Sequence, residues 1–147
     1  MNRWVTDTHA LLWHLYNAKR LSSKVSRIFS EADVGECQII IPAIVLVEII
    51  YLAEKGRIDA DAVKQVIEML SSQANNYVIA SLDLETAAAL AQVDRAVVPE
   101  LSDRIITATA LHLNLPLLTR DTQIARFDLV TVVWEDEEHT SGLSHSG

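Results

Sequence analysis

Short apolar runs alternate with longer stretches whose apolar residues recur at helical spacing. The short runs predict strands at 3–6, 37–41, 77–80, 115–120 and 129–134. The longer stretches predict helices at 8–18, 22–33, from the mid-40s to 55, 59–73, 84–97 and 103–114, with one further turn at 122–127. Strands that alternate with helices predict a three-layer α/β/α sandwich around a mostly parallel sheet of about five strands.

Helix boundaries are suggested by individual residues. Pro42 suits the first turn of the third helix, and Gly56 suits its stop. Ser102 is a suitable N-cap for the helix that follows it, and Asn114 a suitable stop.

The composition predicts one folded domain with a polar tail. Half of the 147 residues are hydrophobic, which gives ample material for a core and does not fit a disordered chain. We therefore assign a single domain to 1–134 and an acidic, flexible tail to 135–147.

Other features of the chain exclude several classes of protein. A single cysteine, Cys37, rules out an intramolecular disulfide and a multi-cysteine zinc site. The longest apolar run is interrupted by Pro42 and Glu48 and is shorter than the roughly 20 residues that cross a bilayer. The first residues lack the order of a signal peptide. A cytoplasmic protein is expected, with no membrane partner.

The net charge of −8 argues against a nucleic-acid partner, because phosphate binding favours a positive surface. Half of this charge lies in the acidic run at 135–138, and four candidate metal ligands contribute the other half. The rest of the chain is near neutrality. Local basic patches can form from Lys19, Arg20, Lys24, Arg27, Arg95, Arg104, Arg120 and Arg126.

One glutamate, Glu48, interrupts the otherwise apolar or proline sequence of 39–53. An unpaired buried carboxylate costs several kcal/mol, roughly as much as a domain has to spare. Either Glu48 reaches water, or the fold requires a carboxylate at this position.

Four acids are placed where ligands of α/β sheets bind, at the carboxyl ends of the strands. Asp7 follows the first strand and Asp121 the fourth. Glu48 lies on the helix that leaves the second strand, and Asp103 opens the helix that leads to the fourth. We expect all four carboxylates to converge.

Converging carboxylates repel one another, and a divalent cation relieves the repulsion. Mg²⁺ and Mn²⁺ prefer oxygen ligands, activate water and stabilise charge on phosphoryl groups, through one ion or two. The pattern therefore indicates phosphodiester or phosphomonoester chemistry. Structural roles are the alternative: an N-cap for Asp7, a helix-dipole interaction for Asp103 and a turn for Asp121. The histidines show no zinc-ligand spacing, and no glycine-rich phosphate loop is present.

Three segments together resemble the PIN domain family, and more narrowly the VapC-type toxin ribonucleases of toxin–antitoxin pairs. They are VTDTHALLW at 5–13, VLVEIIYLAEKG at 45–56 and LSDRIITATALHLNLPLLTRD at 101–121. The last segment is specific, whereas the first two are individually weak. The resemblance extends to about Trp134.

This resemblance implies a metal-dependent endoribonuclease that is silenced by an antitoxin protein and pairs as a homodimer. The family's four acids map onto Asp7, Glu48, Asp103 and Asp121, which would bind Mg²⁺ or Mn²⁺ and position a water for RNA cleavage. Thr119 would support the metal site. Arg104 would contact substrate or an acid, or would serve the structure only.

Two other readings remain open. A PIN-like fold can serve as a non-catalytic RNA- or protein-binding module, although such a module is expected to lose one or more acids. Another Mg²⁺-dependent α/β phosphohydrolase is the second alternative. The Asp7-Thr8-His9 sequence lacks the Asp-x-Asp pattern of haloacid-dehalogenase-like phosphatases, and the acid pair of a receiver domain is not evident.

Overall fold

The computed structural model describes residues 1–135. Apart from Glu135, the predicted flexible tail at 135–147 lies outside the described residues. Within residues 1–135 no helix is long and apolar enough to cross a membrane.

In the part of the chain that the structure describes, the predicted parallel sheet is confirmed, with five strands in the order β3-β2-β1-β4-β5 and every neighbouring pair parallel. The strands are β1 (Arg3–Thr6), β2 (Gln38–Pro42), β3 (Tyr77–Ala80), β4 (Leu117–Leu118) and β5 (Val132–Val133). The last two are shorter than the apolar runs that predicted them. Helices cover the sheet in a three-layer α/β/α arrangement.

Within residues 1–135, seven α-helices accompany the strands. They are α1 (Thr8–Leu15), α2 (Ser23–Asp33), α3 (Ala43–Glu54), α4 (Asp61–Ser71), α5 (Leu84–Ala89), α6 (Leu101–Leu113) and α7 (Thr122–Ala125). The two predicted stops are confirmed. Asn114 adopts the left-handed conformation with φ 55° at the end of α6, and Gly56 has φ 70° just beyond α3.

Besides these shorter strands and the first helix, which ends at Leu15 rather than at 18, three predicted boundaries were wrong. The helix expected at 84–97 ends at Ala89 and continues only as a 3₁₀ turn to Gln92, because the Arg104 guanidinium draws the carbonyls of Leu90 and Val93 into tertiary hydrogen bonds. Helix α6 begins one residue before the predicted N-cap, Ser102, and Glu100 occupies the cap position.

Pro42 is the third correction. It is the last residue of β2, where it pairs with Ala80 in β3, and α3 begins at the next residue. Its extended conformation, with ψ 141°, suits a strand end. Because proline has no N–H, it is tolerated at this junction, where the strand ladder ends and the helix has not begun.

The central strands are buried on both faces. Ile39 and Ile41 of β2 are fully buried and Ile40 almost so, and Val5, Leu117 and Leu118 are fully buried. Continuous burial explains why these strands read as unbroken apolar runs, as in other parallel sheets with helices on both sides.

The strand order reverses at β1. From β1 the chain builds β2 and β3 on one side and then returns to add β4 and β5 on the other. Connections therefore leave β1 and β4 in opposite directions, which opens a crevice at their carboxyl ends. Thr6 pairs with Leu118, so the residues that follow them, Asp7 and Thr119, lie side by side at this crevice.

Candidate active site

Asp7 is held at the end of β1 by contacts to both carboxylate oxygens. Oδ1 accepts the Ala10 N–H at 2.9 Å and so caps α1, as the structural alternative predicted. Oδ2 accepts the Thr119 hydroxyl at 2.5 Å. The side chain is only 7% exposed, and burial raises the pKa of its carboxyl despite the hydrogen bonds from Thr119 and Ala10.

Thr119 links two of the acids. Its fully buried hydroxyl donates to Asp7 and accepts the backbone N–H of Asp121 at 3.0 Å. Because β1 and β4 are adjacent, this single hydroxyl fixes the relative position of the segments that carry both carboxylates.

Asp121 caps α7. Its Oδ1 accepts the N–H groups of Gln123 at 2.8 Å and Ile124 at 3.0 Å. Within residues 1–135 its Oδ2 makes no hydrogen bond. The capping role is therefore real, but it uses only one oxygen and leaves the other for a further ligand.

Asp103 lies in the first turn of α6 and is half-buried. Burial, followed by repulsion from Asp121, Glu48 and Asp7, raises the pKa of its carboxyl to about 7. The other three predicted acids, which come from three separate segments, are therefore close enough to Asp103 to disfavour its ionised form.

Glu48 is half-buried on α3, so the carboxylate is not sealed in an apolar core. Its Oε1 accepts the Thr8 hydroxyl at 2.5 Å. Thr8 directly follows Asp7, and this bond therefore ties α3 to the end of β1. Sequence reasoning missed Thr8, although a hydroxyl beside the first acid at a helix start was a visible signal.

Three of the four acids line one cavity. It has a volume of about 680 Å³ and is bordered by Asp7, His9, Trp13, Arg20, Asp103, Arg120, Asp121, Thr122, Gln123 and Arg126. Glu48 does not line this cavity and joins the cluster through its repulsion of Asp103. The structure thus brings Asp7, Asp103 and Asp121 together and places Glu48 beside them.

The donor chemistry of this cluster suits a hard divalent cation. Every donor is a carboxylate oxygen. Asp7 is buried, and the pKa of Asp103 is raised by burial and by the neighbouring acids, a situation that a cation relieves. Among residues 1–135, however, no three acid, histidine or cysteine side chains lie close enough together to enclose an ion. The residue types fit a metal, while the side chains do not form a closed coordination shell.

Arg104 has a structural position. Its Nε donates to the Val93 carbonyl and its Nη2 to the Leu90 carbonyl, both at 3.1 Å. These bonds connect the start of α6 to the 3₁₀ turn. Of the two uses expected for Arg104, its contacts thus support the structural one.

Fold and site together define an α/β domain with an acidic pocket at the carboxyl edge of a parallel sheet. Residues 4–130 match the family model of the PIN domain. The chain therefore belongs to the PIN domain family.

Solved structures share this fold at low sequence identity. VapBC2 from Rickettsia felis bound to a promoter DNA fragment aligns with a TM-score of 0.68 and 16% identity, over 90% of this chain and 98% of that one. A toxin–antitoxin complex from Klebsiella pneumoniae aligns with a TM-score of 0.63 and 22% identity, over 90% of this chain and 98% of that one. FitAcB from Neisseria gonorrhoeae aligns with a TM-score of 0.57 and 20% identity, over 88% of this chain and 95% of that one. No curated protein sequence matches the chain.

The raised pKa of Asp103 generates a prediction about stability without metal. A carboxyl whose pKa is raised by folding destabilises the folded state once it ionises, so its penalty grows from about pH 4 to pH 7 and persists above. In EDTA at pH 8, Asp103→Asn should therefore raise the melting temperature by roughly a few degrees. This increase should become smaller as the pH is lowered toward 4.

The matched control is Asp128→Asn, which removes an exposed acid that does not line the cavity. Thermal unfolding at several pH values measures both variants. A loss of stability in Asp103→Asn at pH 8 would show that the ionised carboxylate is structurally required and would contradict the repulsion described above.

Proposed function

We propose that this PIN domain is a metal-dependent endoribonuclease and the toxin of a toxin–antitoxin pair, acting in the cytoplasm. The observation that carries the proposal is the cluster of Asp7, Asp103 and Asp121 around one cavity at the β1–β4 crevice. Folding holds these carboxylates together against their own repulsion, which a protein without a use for them would avoid.

Asp7, Glu48, Asp103 and Asp121 are the residues that would hold Mg²⁺ or Mn²⁺. When bound, such an ion supplies a water of lowered pKa and stabilises charge on the scissile phosphate. The chain's own contribution is to orient the ligands. Thr119 and Ala10 fix the Asp7 carboxylate, the α7 amides fix Asp121, and Thr8 directs Glu48.

The overall charge of −8 is compatible with an RNA substrate because basic side chains are concentrated at this cavity. Arg20, Arg120 and Arg126 line it together with the acids. Phosphate groups approaching the pocket therefore meet guanidinium groups at its border. Charges farther away than a Debye length of about 10 Å are largely screened, so the local charge matters more than the net charge of the chain.

The direct test is cleavage of end-labelled RNA by purified protein with Mg²⁺ or Mn²⁺ and with EDTA. Asp103→Asn and Glu48→Gln should each lower the rate at least about 100-fold, since even groups that only support metal ligands are worth about 10- to 100-fold. Asp128→Asn, purified in the same way, should cleave like the parent.

Equal cleavage by the parent and Asp103→Asn would identify a contaminating nuclease and contradict the proposal. Absence of cleavage by any form would favour the alternative of a non-catalytic RNA- or protein-binding module. That alternative is kept because the described side chains do not themselves enclose an ion. The other phosphohydrolases would instead hydrolyse a phosphomonoester such as p-nitrophenyl phosphate.

Thr119 offers a finer test of ligand orientation. Thr119→Val keeps the shape of the side chain but removes its hydroxyl. The variant therefore loses the hydrogen bond donated to the Asp7 carboxylate and the one accepted from the Asp121 N–H. The Mn²⁺ concentration needed for half-maximal RNA cleavage should rise about 10- to 100-fold. Thr119→Ser, which keeps the hydroxyl, should stay within a few-fold of the parent, roughly. Equal metal dependence of the Val and Ser variants would remove Thr119 from the site.

An apolar face on α3 supports a protein partner. Val47, Ile50 and Tyr51 are 57%, 36% and 54% exposed, and their spacing places them on one side of the helix. Exposed apolar patches of this kind mark interaction surfaces. Because the structural neighbours include toxin–antitoxin complexes, we propose that this face contacts a second copy of the chain and that an antitoxin protein binds the same chain.

Sedimentation equilibrium tests the homodimer. The parent should sediment at twice 16.3 kDa, and Tyr51→Glu should shift the protein toward the monomer because it places a charge in the apolar face. Gln92→Glu, an equal charge change on the exposed 3₁₀ turn, should leave the dimer intact. A monomeric parent would contradict the homodimer and leave the α3 face to the antitoxin.

A further inference from the structure

A second cavity adjoins the acidic one and is basic in character. It has a volume of about 540 Å³ and is lined by Lys19, Arg20, Leu21, Ser22, Ser23, Arg120, Trp134 and Glu135. Arg20 and Arg120 line both cavities, so the two spaces meet at these side chains. We call this second space the basic cleft.

Trp13 organises the junction between the two cavities. The Arg20 guanidinium lies 5.9 Å from the Trp13 ring centroid, and that of Arg120 lies 6.0 Å from it. Trp134 contacts the same ring edge-on at a centroid distance of 5.8 Å. Two cations from distant parts of the sequence are thus held against one aromatic ring by cation–π attraction.

The guanidinium groups of Arg20 and Arg120 face solvent at the junction of the two cavities. Within residues 1–135 neither Arg20 nor Arg120 forms an ion pair or a side-chain hydrogen bond. Both side chains are exposed. Their donors are therefore available to a ligand, and an anion with several acceptor oxygens matches the planar arrangement of guanidinium donors.

A hydrogen bond within the protein holds together two segments that line the basic cleft. Ser22 caps α2 by accepting the Val25 N–H at 3.2 Å, and its hydroxyl also donates to the carbonyl of Trp134. This bond ties the start of α2 to the end of β5. The N-terminus of the eleven-residue α2 thus borders the cleft beside Lys19 and Arg20, and its dipole adds to their attraction for anions.

We propose that Arg20 and Arg120, held on Trp13, form a subsite that binds the backbone phosphates of single-stranded RNA next to the acidic pocket. The inference rests on the proposed nuclease function and extends it by giving the substrate a direction. The strand leaves the acidic pocket between the two guanidinium groups and continues into the basic cleft. Trp13 is a positioning residue, because its ring holds both guanidinium groups.

RNA binding rather than cleavage gives the clearest test. The affinity of a fluorescent single-stranded RNA is measured by anisotropy in EDTA, where metal-dependent cutting is absent, at several salt concentrations. Arg20→Gln and Arg120→Gln should each weaken binding roughly three- to tenfold at low salt and reduce the slope of log K against log salt by about 0.7. Trp13→Leu should weaken binding at least as much.

Arg57→Gln is the matched control. Arg57 is exposed beyond the end of α3 and lines neither cavity, so its replacement makes the same charge change away from the subsite. It should bind RNA like the parent with an unchanged salt slope. Circular dichroism checks that each variant is folded. If Trp13→Leu is unfolded, the two arginine variants still decide the test.

The outcomes separate the subsite from the nuclease function. If the parent binds and cleaves RNA while Arg20→Gln and Arg120→Gln match Arg57→Gln, the subsite is wrong and the nuclease proposal stands. If the parent neither binds nor cleaves RNA, both are contradicted. If the arginine variants lose affinity only for an acidic peptide, the surface belongs to a protein partner and the RNA subsite is overturned.

Discussion

The buried carboxylate of Asp7 is the constraint on which the site depends. A carboxylate with so little exposure is stable only when its oxygens are satisfied, and here the α1 amide and the Thr119 hydroxyl perform that task. Both partners are available because β1 and β4 are adjacent at the point where the strand order reverses. The strand order of the sheet therefore determines which groups can satisfy the Asp7 carboxylate.

Two of the four acids also serve the structure as helix caps. Asp7 and Asp121 cap helices with one oxygen, and Asp121 keeps its other oxygen without a partner in the described chain. Glu48 is oriented by Thr8, the residue that follows Asp7. Burial, followed by repulsion from Asp121, Glu48 and Asp7, raises the pKa of the Asp103 carboxyl to about 7.

Most of the fold was predictable from the sequence because parallel strands buried on both faces leave unbroken apolar runs. The convergence of the acids was also predictable, since strand ends in such sheets share one edge. The end of α5 was not, because it depends on Arg104 reaching back to carbonyls more than ten residues earlier. The junction of Arg20 and Arg120 on Trp13 was hidden for the same reason, since Arg120 is far in the chain from both Trp13 and Arg20.

Binding of Mn²⁺ to the purified protein tests the central claim most directly, because it requires neither the natural RNA nor a partner. Electron paramagnetic resonance of free Mn²⁺ during a titration counts the ions bound. We expect a saturable site in the parent and in Asp128→Asn that is lost or strongly weakened in Asp103→Asn. No saturable binding by the parent, or equal binding by all three proteins, would contradict the assignment of the acidic pocket as the metal site.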